Sequence, residues 1–262
     1  MNEREHVFPT VRGAFLIVLM TLCFIFIADI VWSGSSNKGK MLLLESLTLA
    51  PVLGYVWVRK LSFREVFRWH GVKPSVLLVS GGIGLGLTVI TDELSRIVQW
   101  LLPMPEEIQQ TMEAFLRFNS AGELLLVFLT VVIVAGFAEE MLFRGFFQGT
   151  LERVMDVTRA VLATAFVFAF VHFNPWWLVE VLILGVLLGV LTWRSGSIFP
   201  SVIVHMVKNG LAVVFMNTDA SRLGWFLMKD HVSPVWVAAG LGIVVFGFRM
   251  FYRMTIPTEQ GF

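Results

Sequence analysis

The chain has 262 residues, of which 56% are hydrophobic and only 15% are charged, and its mean hydropathy is +0.78. Soluble globular domains are far less apolar, so this composition excludes a soluble domain and indicates an integral membrane protein. The net charge of +1 does not indicate a class of partner, and the single cysteine, Cys23, excludes a disulfide framework and a thiol-ligated metal site.

About eight apolar stretches are long enough to cross a membrane, at roughly 20 residues for each crossing. The sequence therefore predicts an all-α fold, a polytopic membrane helical bundle of about eight transmembrane helices with a polar active site inside the bundle. No long polar segment separates the stretches, so residues 1–262 are expected to form a single integral-membrane domain with its motif core at 124–217. In chain order the predicted spans are Gly13–Trp32, Met41–Val58, Val76–Thr91, Leu124–Arg144 and onward, Arg159–His172, Trp177–Trp193, Ile198–Asn217 and Pro234–Tyr252.

The first predicted span, Gly13–Trp32, is longer than the apolar core of a usual signal peptide, and no small-x-small cleavage site follows it, so we expect it to be retained. With the N-terminus in the cytoplasm, most of the 20 Lys and Arg residues fall on the cytoplasmic side, as the positive-inside rule requires. Arg59–Lys73 is expected to be a basic cytoplasmic loop or interfacial helix that sets this orientation. The predicted location is the cell membrane, multi-pass, with both termini cytoplasmic.

The third predicted span contains four closely spaced glycines, Gly81, Gly82, Gly84 and Gly86. Small residues allow helix backbones to approach each other, so these glycines indicate a close helix–helix contact. The chain shows no internal repeat of the kind that marks transporters.

The longest polar stretch, Asp92–Gly122, mixes apolar residues with charges and is divided by Pro103 and Pro105. This pattern predicts two short amphipathic helices at the outer membrane surface. The alternative is a lid that controls access of a substrate.

Charged residues interrupt the fourth span within Ala135–Gly145. A carboxylate near the middle of a bilayer costs at least about 2.5 kcal/mol, so an ionisable cluster in a membrane helix is a functional hypothesis by default. In a helix, Glu140 and Arg144 lie on one face and can pair, whereas Glu139 points about 100° away. An unpaired carboxylate in a dry site is a stronger base than one in water, as general-base catalysis requires. The alternative is a structural salt bridge, with Glu139 facing lipid headgroups or a water pocket.

Two histidines lie in later spans beside residues at helical spacing. Phe168 is one turn before His172 at the end of the fifth span, and His205 shares one face of the seventh span with Asn209. Taken singly, each histidine is more often a packing residue than a catalyst. Their joint occurrence with the intramembrane glutamates favours a site.

Helix geometry indicates which of these residues can meet. Glu139 lies about 16 residues before the polar turn near Asp156 and His172 about 17 residues after it, so the two should lie at nearly the same depth. His205 lies roughly 15 Å beyond the next cytoplasmic turn. It reaches the same depth only if the hairpin of the fourth and fifth spans protrudes by about 10 Å into the cytoplasm.

Three motifs occur in order on successive predicted helices: Glu139-Glu140-Met-Leu-Phe-Arg144 fits EExxxR, Phe168–His172 fits FxxxH, and His205–Asn209 fits HxxxN. Together they resemble the CPBP intramembrane protease family, also called the Abi family, which contains the type II CAAX prenyl endopeptidases and bacterial bacteriocin-processing or immunity proteins. The motifs cover residues 139–209, and the N-terminal half carries no motif of its own.

The resemblance implies a metal-independent, glutamate-type endopeptidase that acts on a membrane-associated or lipidated protein or peptide. In this reading Glu139 is the general base that activates water, His172 holds or polarises that water, and His205 with Asn209 donates hydrogen bonds to the oxyanion. Residues that orient the site or bind substrate would be Glu140, Arg144 and Phe168. The expected partners are the substrate and the lipid bilayer, with no cofactor and no nucleic acid. Lys208 has no role in the motif and is expected to snorkel or to pair with an acidic neighbour.

Three alternatives stay open. A zinc ion bound by Glu139, His172 and His205, with water in the fourth position, could perform the same hydrolysis, although no HExxH is present. A non-catalytic membrane scaffold or bacteriocin-immunity protein would keep the bundle without cleaving a substrate. A proton-coupled transporter would use Glu139 and the histidines as a relay, but the expected repeat symmetry is missing.

Overall fold

The computed structural model describes residues 8–32 and 38–255, and most of these residues are helical. The α-helices are α1 (Val11–Val31), α2 (Lys38–Leu47), α3 (Ala50–Val58), α4 (Phe63–Val66), α5 (Pro74–Leu101), α6 (Glu106–Leu116), α7 (Ala121–Val127), α8 (Ala135–Glu140), α9 (Gln148–Leu151), α10 (Val157–Phe170), α11 (Leu178–Ser195), α12 (Phe199–Met216) and α13 (Pro234–Met254). Two π-helical segments, π1 (Phe128–Val134) and π2 (Met141–Phe147), join α7, α8 and α9. A 3₁₀ turn (Ala220–Leu223) and an antiparallel pair of short strands, β1 (Leu227–Met228) and β2 (His231–Val232), lie between α12 and α13.

The described part of the chain contains seven helical segments that are long and apolar enough to cross a membrane. They are Val11–Val31, Lys38–Val58, Pro74–Leu101, Ala121–Leu151, Leu178–Ser195, Phe199–Met216 and Pro234–Met254. The fifth predicted span corresponds to α10, which has 14 residues and is shorter than a full crossing. The chain is therefore a multi-pass, all-α membrane protein, and the predicted count of about eight becomes seven long helices and one short one.

Contacts near the ends of the helices show which ends share a face of the bundle. Arg68, in the loop before α5, pairs with Glu152 after α9, and its carbonyl accepts a hydrogen bond from Ile198 before α12. At the opposite end, Lys38 at the start of α2 pairs with Glu123 in α7 at 2.8 Å. We call the end with Arg68 the inner face and the end with Lys38 the outer face. The inner face is the one that the sequence analysis predicts to be cytoplasmic.

The stretch Asp92–Gly122 differs from the prediction of two short amphipathic helices. Its first part continues α5 to Leu101, because no helix breaker occurs before Pro103. Its second part forms α6, which begins directly after Pro105. Only one separate amphipathic helix is therefore present in this stretch.

The fourth span is a 31-residue rod, Ala121–Leu151, in which π1 and π2 flank the short helix α8. A π segment inserts extra residues into a helix, rotates the side chains that follow, and often occurs at a functional site. Glu139 and Glu140 end α8, and all seven residues of π2 are buried. The rod therefore carries the charged motif into the interior of the bundle.

Glycines allow α5 to pack closely against two neighbouring helices. A Cβ added at Gly86 would lie 2.7 Å from the carbonyl oxygen of Gly240 on α13, and one at Gly84 would lie 3.0 Å from the Val207 side chain on α12. Gly82 has no neighbouring atom within 4 Å of such a Cβ. The predicted close contact is confirmed for Gly84 and Gly86 and is wrong for Gly82.

Gly86→Ala should lower the free energy of unfolding by about 1–3 kcal/mol, because the added methyl group must displace the backbone of α13. Gly82→Ala on the same helix should leave stability unchanged or raise it by up to about 1 kcal/mol through helix propensity. Thermal unfolding in detergent, followed by tryptophan fluorescence, measures both variants. Equal melting temperatures would contradict the contact between α5 and α13.

Candidate active site

A buried ion network centred on Glu140 lies inside the bundle. The side chains of Glu140 and Arg144 are completely buried, and the guanidinium donates to Oε1 of Glu140 at 2.9 Å. Nδ1 of His205, on α12, donates to the same oxygen at 2.9 Å, because an ionised carboxylate can only accept. Burying one member of such a set without its partners is strongly destabilising. Glu140 therefore joins the fourth span to α12.

Glu139 lies on the other side of His205. Its Oε2 atom is 3.9 Å from Nε2 of His205, too far for a direct hydrogen bond and short enough for one water molecule to contact both atoms. The Glu139 side chain is 16% exposed, and its Oε2 atom has no hydrogen-bond partner within the described residues. The two adjacent glutamates therefore differ: one is fixed in an ion network and the other presents a free acceptor oxygen.

Phe168 lies between the two histidines. Its ring is fully buried, with its centroid 4.9 Å from that of His172 and 6.1 Å from that of His205. The Arg144 guanidinium lies 4.0 Å from the same ring, a cation–π contact. Nδ1 of His172 donates to the Phe168 carbonyl at 2.7 Å, which leaves Nε2 of His172 for another contact. Phe168 thereby connects His172 to the network around Glu140.

Asn209 and Lys208 follow His205 along α12. The Nδ2 atom of Asn209 donates to the carbonyl oxygen of Val131 in π1 at 2.9 Å, and its second hydrogen remains for another acceptor. This bond ties α12 to the fourth span a second time. Lys208 pairs with Glu180 on α11 at 2.6 Å, so the predicted acidic neighbour of Lys208 is confirmed.

The structure thus brings most of the candidate residues into one connected cluster: Glu139, Glu140, Arg144, Phe168 and His205. His172 joins this cluster through Phe168, and Asn209 lies one turn from His205 but is bonded to π1.

The zinc alternative requires Glu139, His172 and His205 to converge on one point. Across residues 8–32 and 38–255, no three His, Cys, Asp or Glu side chains are arranged to hold a metal ion. Nδ1 of His205 is bonded to Glu140, and Nε2 would be the nitrogen that binds an ion. It is therefore the placement of the three side chains, and not their chemistry, that does not fit zinc.

Glu45 on α2 is a carboxylate that none of the three motifs contains. Helix α2, which carries Glu45, packs against α8, which ends with Glu139 and Glu140. The sequence analysis missed this residue. The signal that could have found it is the lone acidic residue within the apolar span Met41–Val58, the same kind of signal that identified Glu139.

Apart from the Glu139 cluster, a cavity of about 670 Å³ with polar lining residues lies towards the outer face among α5, α6, α11 and α12. Lys208 and Glu180 line it, and Met112 on α6 lines the opposite side. Asn174, two residues after His172, donates to the Met112 sulfur at 3.5 Å. Helix α6 therefore borders this outer cavity, whose lining does not include the Glu139 cluster.

The fold and the cluster define a class: a polytopic α-helical membrane protein with an acid–histidine site inside its bundle. A family model described as Rce1-like, type II CAAX prenyl endopeptidase, matches residues 121–211, about a third of the chain. This segment contains all three motifs, so the resemblance to the CAAX proteases of the CPBP family is confirmed. At the family level, the match supports a CAAX-type intramembrane endopeptidase. Comparison with curated proteins and with solved structures found no match.

Glu140→Gln should lower the free energy of unfolding by about 3–5 kcal/mol, because it leaves the charge of Arg144 buried without its counter-ion. The matched variant Glu139→Gln should change it by less than about 1 kcal/mol. Unfolding of the purified protein by SDS in mixed micelles compares the two. A larger loss of stability for Glu139→Gln than for Glu140→Gln would show that Glu139, and not Glu140, is the structural partner of Arg144.

Proposed function

We propose that the chain is a glutamate-type intramembrane endopeptidase, which hydrolyses a peptide bond of a membrane-associated or lipidated protein or peptide. The observation that carries the proposal is the 3.9 Å separation between Oε2 of Glu139 and Nε2 of His205, across which one water molecule can contact both. The family match of residues 121–211 supports the reaction class but names neither the base nor the substrate.

In the proposed reaction, Glu139 removes a proton from this water while the water oxygen bonds to the carbonyl carbon of the peptide. The oxyanion that forms accepts hydrogen bonds from His205 and Asn209. The carbon–nitrogen bond then breaks, and the leaving amine takes the proton held by Glu139. A positioned general base accelerates such a reaction by about 10²–10⁴, and one oxyanion donor by about 10²–10³.

The contacts of His205 determine how it can serve the oxyanion. Its Nδ1 hydrogen is already donated to Glu140, so it donates from Nε2 only when both ring nitrogens carry a proton. Glu140 is the counter-ion that such an imidazolium needs, and Arg144 in turn keeps Glu140 ionised. In this proposal, the EExxxR motif supplies both the base and the support for the opposing histidine.

The contacts of His172 suit it to holding the water. With Nδ1–H donated to the Phe168 carbonyl, the neutral ring has a lone pair on Nε2 that can accept a hydrogen from water. We propose that the inner face of the bundle is cytoplasmic.

Glu139→Gln should lower the rate of cleavage at least about 10²-fold, because the amide cannot remove a proton from water. Cells that express the wild-type chain or the variant can be compared by chemical labelling of new protein N-termini in isolated membranes, followed by mass spectrometry. The expected result is a set of N-termini that is present with the wild type and absent with the variant.

The control is Glu107→Gln, an exposed residue of α6, which should leave this set unchanged. Identical sets of N-termini for the wild type and Glu139→Gln would contradict the proposal. Such a result, together with a retained cellular phenotype, would favour the scaffold or immunity alternative.

Chelation should leave cleavage intact. Purified protein treated with 1,10-phenanthroline should cleave a peptide identified from the N-terminal comparison at a rate within about twofold of the untreated enzyme, because the base in this proposal is a side chain and not a metal-bound hydroxide. Complete loss of activity that zinc restores would instead support the zinc version with Glu139, His172 and His205 as ligands.

A further inference from the structure

The segment Phe67–His70, between α4 and α5, lies outside the residues that the family model matches. The sequence predicts that this region is part of a basic cytoplasmic loop or interfacial helix. In the structure, Phe67 is fully buried and Arg68 is only 6% exposed. A buried arginine requires specific partners, so this segment has a role beyond orienting the chain in the membrane.

The Arg68 side chain is attached to the inner end of the fourth span. Its two terminal nitrogens donate to the two carboxylate oxygens of Glu152, and both side chains are less than a tenth exposed. A bidentate pair of this kind fixes orientation as well as distance.

The Arg68 backbone is attached to the other helix of the site. Its carbonyl oxygen accepts a hydrogen bond from the N–H of Ile198, the residue directly before α12, at 3.2 Å. Arg68 has a φ of 49°, in the left-handed region that residues other than glycine rarely adopt. Such a conformation persists only where surrounding contacts hold it. One residue therefore joins the end of α9 to the start of α12.

The next residue strengthens the same connection. The Trp69 ring stacks on Phe137 with centroids 5.8 Å apart and meets Phe199 edge-on at 4.9 Å. Phe137 is two residues before Glu139, and Phe199 is the first residue of α12. Trp69 therefore lies between the two helices that carry Glu139 and His205.

A second guanidinium lies beside the Arg68–Glu152 pair. Burial, and then repulsion by Arg68, lower the pKa of Arg153, whereas the charge of Glu65 acts in the opposite direction. Glu152 is the counter-ion of Arg68, and Glu65 is the acidic residue that acts on Arg153.

We propose that Arg68 is a positioning residue for hydrolysis at Glu139. Through Glu152 and Ile198 it holds the inner ends of the fourth span and α12 at the separation that leaves 3.9 Å between Glu139 and His205. This inference rests on the proposed function. A displacement of about 1 Å in reacting groups can cost about 10² in rate, so loosening this contact slows the chemical step and leaves substrate binding in place.

The test compares Arg68→Asn with Arg64→Ala. Asparagine deletes the guanidinium but tolerates a left-handed backbone, and Arg64 is an exposed arginine of α4, four residues earlier in the chain. For a peptide identified from the N-terminal comparison, Arg68→Asn should lower kcat by about 10- to 100-fold with KM within about twofold, while Arg64→Ala changes neither. Arg68→Lys keeps the charge but not the bidentate geometry, so it should lie between the wild type and Arg68→Asn.

A second readout needs no activity. The chain has five histidines, so ¹⁵N-histidine labelling gives few signals, and the His205→Asn variant identifies those of His205. In the resting protein, Arg68→Asn should shift or broaden the ring signals of His205, because its contact with Glu140 is loosened, while Arg64→Ala leaves them in place.

Unchanged kcat and unchanged His205 signals in Arg68→Asn would overturn the inference, as would shifted signals with unchanged kcat. If Arg68→Asn does not fold, Arg68→Lys is judged by the same two readouts. If the wild type cleaves no peptide, the proposed function fails, and the NMR comparison still decides whether Arg68 sets the position of His205.

Discussion

The arrangement depends on one carboxylate, that of Glu140. A carboxylate with no exposure to solvent is stable only where donors and cations surround it, and here Arg144 and His205 both reach its Oε1 atom at 2.9 Å. This contact joins two helices, engages Nδ1 of His205, and turns Nε2 of the same ring towards Glu139. Two neighbours in the sequence thereby differ in their surroundings: Glu140 is fixed in the ion network, and Glu139 keeps an acceptor oxygen without a partner among the described residues.

Helix packing makes this network possible, because short polar side chains can meet across a bundle only where the backbones come close. A Cβ added at Gly136, on α8, would lie 2.8 Å from the Met206 side chain on α12, and one at Gly185, on α11, would lie 3.0 Å from Ala165 on α10. Arg144 also donates to the carbonyl oxygen of Gly185 at 3.4 Å. The small residues therefore let the fourth span reach its polar partners on both sides.

Local patterns predicted the parts that depend on local geometry. The spacing of Glu140 and Arg144 predicts their pairing, and the apolar stretches predict the membrane helices. Counting residues along the helices brings His205 to the depth of Glu139 only if the hairpin of the fourth and fifth spans protrudes. The structure places Nε2 of His205 3.9 Å from Oε2 of Glu139. The sequence analysis missed the contact of Arg68 with Glu152, 84 residues away, because no periodicity encodes a contact between distant segments. Nor does it predict the two π segments, which depend on packing rather than on residue type.

The central claim is that Glu139 acts on the substrate through water. Its most direct test is one round of cleavage in H₂¹⁸O with enzyme in excess over peptide, followed by mass spectrometry of the product and of the enzyme fragment containing Glu139. The account predicts one ¹⁸O atom in the new carboxyl group of the product and none in Glu139. Labelled Glu139 together with an unlabelled product would mean that the carboxylate attacks the peptide directly, and would contradict the account.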